Sequence, residues 1–152
     1  MRNINKILII SIFSFLLLGA VGAATEKDSL KVPSGFSEFK NGTSTCQNDN
    51  KTYELDIDKV NSEETKAFID EHKDHIHLKK HDNNTYYFRT DDLKTVGLIE
   101  KVKIDNEDYF VYITHDGERL TKNELKKDLE SLNDFNNANN LKAESGVKKA
   151  IK

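Results

Sequence analysis

Tryptophan is absent from this 152-residue chain, and cysteine and proline occur once each. A lone cysteine excludes a disulfide framework and any Cys-rich zinc module. The chain also lacks an excess of positive charge. Twenty-three Lys and Arg stand against twenty-six Asp and Glu, a formal net charge of -3, which excludes a polybasic nucleic-acid binder. No Walker loop, GxGxxG, GxSxG or His-Glu-x-x-His occurs, no carboxylate pair stands at a recognisable catalytic spacing, and there is no internal repeat. What is present is polar, 36% hydrophobic and 32% charged, yet eight Phe and five Tyr argue for a packed core over wholesale disorder.

The strongest signal lies at the N-terminus. Arg2 and Lys6 precede an unbroken apolar run from Ile7 to Leu18, and Gly19, Ala20, Gly22, Ala23 and Ala24 follow. This is the three-part layout of a secretory signal peptide over residues 1–24. The alternative is an uncleaved anchor, because residues 7–24 form an 18-residue apolar or small stretch and a spanning helix needs roughly 17–25. Arg2 and Lys6 suit a cytoplasmic N-terminus in either case. Cys46 is too distant for a lipid anchor. The expected location is secreted or extracytoplasmic, with membrane contact only through residues 7–24 if they are retained. Cleavage after residue 23 removes two positive charges and takes the net charge from -3 to -5. An acidic exported domain repels nucleic acid and anionic lipid.

Residues 25–31 read as a linker, 32–140 as one domain and 141–152 as a polar tail or a frayed helix. Phe36 and Phe39 are the first expected core anchors. Thr43–Cys46 is a weak strand candidate, and Tyr53, Leu55 and Ile57 alternate with Glu54 and Asp56 as a half-buried strand does. Asn61 or Ser62 caps a helix carrying Ala67, Phe68 and Ile69 that ends near His72. Two hairpins follow. His75–Lys79 and Thr85–Arg89 flank a turn at Asp82-Asn83-Asn84. Residues 96–104 and 108–114 flank a turn at Asp105-Asn106-Glu107, with Gly97 as a candidate bulge. Thr121 and Glu124 have capping-box spacing for a second helix presenting Leu125, Leu129 and Leu132, and the Asn-rich run 133–140 favours its end. The fold class is α+β, an antiparallel sheet of about four to six strands built from hairpins, with two helices on one face.

Four of the five histidines fall between 72 and 81. On a strand, His75, His77 and His81 share a face with Lys79, while Ile76 and Leu78 point to the other. His75 and His77, joined by His72 or Glu71 and by His81, are candidate ligands for zinc, copper or nickel. Lys73, Lys79 and Lys80 oppose a cation there. Near pH 6 the same histidines gain charge and turn the hairpin into a basic patch for an acidic partner. Asp56 with Asp58, and Asp105 to Asp108, are acidic clusters without the EF-hand layout. Cys46 as a nucleophile needs a histidine base that its sequence neighbourhood lacks. Asn41, Asn50 and Asn83 head Asn-x-Thr sequons at turns.

The leader, the short linker and the phrase Val32-Pro33-Ser34-Gly35-Phe36 resemble small exported proteins of methanogenic archaea. The resemblance implies location and no activity. The expected function is a non-catalytic binding module at the cell envelope. Its partner is a protein or another envelope component, and no cofactor is required. The alternative is a transition-metal-binding protein or metal-dependent hydrolase built on the histidine cluster.

Overall fold

The computed structural model describes residues 29–48, 50–92 and 94–151. The expected signal peptide or anchor, and the first part of the linker, lie outside the described residues. Among those described, no helix is long and apolar enough to cross a membrane.

The elements run β1 (Thr43–Asn48), β2 (Lys51–Lys59), α1 (Glu63–His72), β3 (Ile76–Lys80), β4 (Tyr86–Thr90), β5 (Thr95–Ile104), β6 (Glu107–Asp116), α2 (Lys122–Ala138) and α3 (Val147–Ile151). The six strands form one antiparallel sheet in the order β1-β2-β6-β5-β4-β3. The class is therefore α+β. The long β5–β6 hairpin is the spine, and it closes on Asp105 and Asn106, with φ of 52° and 67°. Two successive positive-φ residues make a type I′ turn, whose twist matches that of the strands.

Both faces of the sheet are apolar at the centre. Tyr109, Val111 and Ile113 of β6 enter one core with Leu98, Val102, Leu55 and Ile57, while Phe110 and Tyr112 enter a second with Phe88 and Ile99. α2 covers the first core through Leu132 and Phe135, and α1 and α3 cover the second through Phe68, Val147 and Ile151. The helices beginning after Ser62 and Thr121 thus lie on opposite faces, where the sequence suggested a shared one. Period-two alternation with apolar residues on both sides of β6 requires a cover on each.

Three further expectations need correction. Gly97 is not a bulge, since pairing runs without interruption through Phe88, Gly97 and Thr114. A Cβ there would stand 1.8 Å from the carbonyl oxygen of Ile113, so close backbone approach is what requires glycine. α2 continues through its Asn-rich end because Phe135 is fully buried and Asn136 Nδ2 donates to Glu100 (2.8 Å), and this tertiary burial outweighs weak propensity. Residues 141–151 are not a polar tail. Glu144 pairs with Lys101 across the β5 backbone, and Val147 and Ile151 are buried.

The first of the described residues are tied down as well. Lys31 and Asn139 exchange two hydrogen bonds, 2.8 and 2.9 Å, at the end of α2, so the linker's last residues are docked. Phe36 and Phe39 are buried as expected. Between them the chain runs along β1. Ser37 N–H donates to Thr45 O, and Lys40 and Thr43 bond each other reciprocally, which covers the outer edge of that strand from Thr43 to Thr45.

Candidate binding groove

α2 spans the centre of its face and stops short of the β3–β4 end. The register His77–Arg89–Val96–His115 and the next inward row, Lys79–Tyr87–Leu98–Ile113, show what this leaves open. The inner members are buried, while His77, Lys79 and Arg89 are exposed and Tyr87 is half-buried. The loop after β6 forms the far wall with Glu118, Arg119 and Leu120. The result is an open groove of about 430 Å³ with an apolar floor, in which Val96 contributes, and a polar rim.

The rim is cationic. Asp91 is shared by His77 Nε2 (2.6 Å) and Arg89 Nη2 (3.3 Å), and Glu118 pairs with Lys94 (3.5 Å). Lys79 and Arg119 make no ion pair among the described residues. A basic groove on a chain whose net charge is -3 is a local reversal of sign.

The structure disperses the histidines. His75 lies in the turn before β3, which begins one residue later than the alternation suggested. His72 Nδ1 contacts Asp92 (2.9 Å), His77 contacts Asp91, and His81 Nδ1 meets the Tyr87 hydroxyl (3.1 Å). The rings of His72, His77 and His81 are each oriented by a different partner, and among the described residues no group of three or more His, Cys, Asp or Glu is placed to hold a metal ion. These residues do not fit a zinc, copper or nickel site, which needs three or four converging ligands.

The other candidates are structural in place. Asp56 accepts from Thr43 Oγ1 (2.6 Å) and Asp58 from Thr65 Oγ1 (2.9 Å), while Asp108 pairs with Lys101 and Lys103. The hydrogen bond from Lys103 holds the Asp108 carboxyl below its ordinary range against the opposing effect of burial, and Lys101 assists it. Cys46 is buried and paired with Tyr53, whose ring stands between it and His115, with the Tyr53 and His115 ring centroids 4.6 Å apart. Asn41 and Asn50 occupy positive-φ turn positions, and Asn50 and Asn83 are exposed.

One polar cluster was not foreseen. His115 is fully buried, with Nε2 3.1 Å from Asp128 Oδ2 and Nδ1 3.7 Å from Glu124 Oε2. Glu124 also takes Lys51 Nζ at 2.5 Å. Burial raises the Asp128 carboxyl, opposed by its hydrogen bond to His115. Burial also presses Glu124 upward, but the bonds from Lys51 and the Thr121 backbone prevail and hold it below its ordinary range. The His–Asp pair resembles a catalytic dyad in composition only. Both side chains are sealed from solvent, so no substrate reaches them, and the cluster instead ties β6 and β2 to α2.

Sequence alternation contained the signal for it. His115 continues the inward series Val111, Ile113, and Asp128 falls within the apolar stripe of Leu125, Leu129 and Leu132. Arg89 was legible too, opposite His77 once the hairpin turn is counted. Arg119 was not, because only tertiary folding brings its loop to the groove. Compared with known proteins, the chain matches no family model, no curated protein and no solved structure.

Proposed function

We propose that this chain is a non-catalytic binding module acting outside the cytoplasmic membrane, and that it takes an acidic partner in the groove over β3 and β4. The observation that carries the reading is the sign of the groove. Lys79, Arg89 and Arg119 surround an apolar floor on an otherwise acidic protein. Such a local reversal favours anionic partners and steers their approach. The leader supports the location. The sealing of the His115–Asp128 pair, and the dispersal of the other imidazoles, favour binding over catalysis.

The test is titration of the full chain with poly-glutamate at low and moderate salt. Binding that weakens with salt, and that falls about tenfold or more in Lys79→Glu and in Arg119→Glu, supports the groove. Affinity weaker than about millimolar at low salt, roughly -4 kcal/mol, rejects it, as does equal binding by both variants. N-terminal sequencing of protein from the native host tests the location. A full-length soluble cytoplasmic chain rejects export.

A further inference from the structure

The groove is bounded on one side by a strand with nothing beyond it. β3 ends the sheet, whereas the opposite end, β1, is covered by residues 37–40. In an antiparallel ladder successive residues turn their backbone groups alternately toward and away from the neighbouring strand. Asp91 N–H donates to His75 O (3.0 Å) and His81 N–H donates to Thr85 O (2.9 Å), so the odd-numbered residues bond inward to β4. Ile76, Leu78 and Lys80 therefore direct their N–H and C=O outward, and among the described residues nothing is bonded to them there. From this edge, and resting on the reading of the groove as an acid-binding surface, we infer that β3 accepts an extended acidic segment of a partner protein as a seventh strand.

The side chains decide the occupant. A second copy paired antiparallel about Leu78 of its own β3 would set His77 opposite the mate's Lys79, and one paired about Lys79 would set that lysine opposite itself; like charges directly opposite are destabilising. The lysines thus guard the edge against self-association and leave it open to the opposite sign. The register gives the partner's pattern. Its residues beside His77 and Lys79 point over the groove, toward Arg89 and the Arg119 loop, and these are acidic. Its residues beside Ile76 and Leu78 point to the other face, where Ile69 of α1 packs against the second core, and these are apolar. An alternation of Asp or Glu with β-branched residues satisfies both faces and is itself a strand former. Strand addition supplies affinity through the backbone and selectivity through alternate side chains.

The test separates backbone from charge. A peptide of roughly seven residues alternating glutamate with valine spans β3. Two further peptides carry N-methyl groups on alternate amides, one set in each phase. The full chain is titrated with all three, and amide hydrogen exchange is followed in the complex. Strand addition predicts that one methylated phase binds about tenfold or more weakly, because several backbone bonds are lost together, while the other phase binds as the parent does. It also predicts new protection of the Ile76, Leu78 and Lys80 amides. If poly-glutamate binds but both methylated phases bind equally well, the groove reading stands and strand addition is overturned. If poly-glutamate fails as well, the groove reading falls with it. Protection accompanied by a doubling of molecular mass in the absence of peptide would identify a second copy as the occupant and overturn the proposal.

Discussion

Replacing Gly97 with alanine places one methyl group where the backbone of β6 passes too close to admit it. The added Cβ would lie 1.8 Å from Ile113 O, 2.8 Å from its carbonyl carbon and 2.9 Å from Thr114 Cα. Ordinary contact begins near 3.4 Å, so the separation must open by roughly 1.6 Å, and every obstructing atom is backbone. Neither side can yield locally. Gly97 is flanked by β4 and β6, and Ile113 is held between β5 and β2. Overpacking of a rigid core costs about 1–3 kcal/mol. Ladder bonds stretched or broken by the shift add about 1 kcal/mol each. Alanine returns only about 0.4–1 kcal/mol by restricting the unfolded chain. A net loss of about 3 kcal/mol or more is expected, a large fraction of the 5–15 kcal/mol typical of a domain. Urea unfolding of parent and variant, followed by far-UV circular dichroism because the chain has no tryptophan, measures the difference. A Gly97→Ala protein within about 1 kcal/mol of the parent would refute the close-approach reasoning.

Two more outcomes follow from local chemistry. Glu124 has a folded value below its ordinary one near 4.5, so the stability it contributes is present above that value and is lost as pH falls through the lower folded value. Lys51→Met should reduce stability at neutral pH, by about 1 kcal/mol because the lysine is partly exposed, and should flatten the acid limb of a stability–pH curve; an unchanged acid limb would contradict the assignment. Asn106→Gly, at the second positive-φ position of the β5–β6 turn, should raise the urea midpoint by an amount equivalent to about 0.5–1 kcal/mol, and a lowered midpoint would reject the type I′ geometry.

Local signals were legible where the local chain decides the outcome. Thr121 and Glu124 form the capping box that their spacing implied, with bonds of 3.2 and 2.9 Å, and both hairpins turn where Asn and Asp cluster. What the sequence left undecided is set by pairing between distant segments. The alternation of Tyr109 to Ile113 is compatible with helices on one face or two, and only the competition for burial places Phe68 and Phe135 on opposite sides. The C-terminal residues look polar because Val147 and Ile151 are isolated among lysines, yet two apolar side chains four residues apart suffice to seat a short helix on a waiting core. The histidine cluster shows the converse. Proximity in sequence suggested convergence, but the nearby Asp91, Asp92 and Tyr87 claim the rings one at a time. The groove needed all of these levels together, since Arg119 joins Lys79 and Arg89 only when β6 has been paired into the sheet.

The unequal treatment of the two sheet ends fixes a valence. One end is occupied by the chain's own residues 37–40, and the other presents three outward backbone positions. Among the described residues β3 is the receptive edge, and strand addition there terminates growth at the first addition. Strand addition at β3 alone does not bridge two partners, whereas a fibre needs subunits that both receive and offer a strand. Any assembly the protein enters by this route has a stoichiometry of one to one, and it would act on a polymerising partner as a chain stopper.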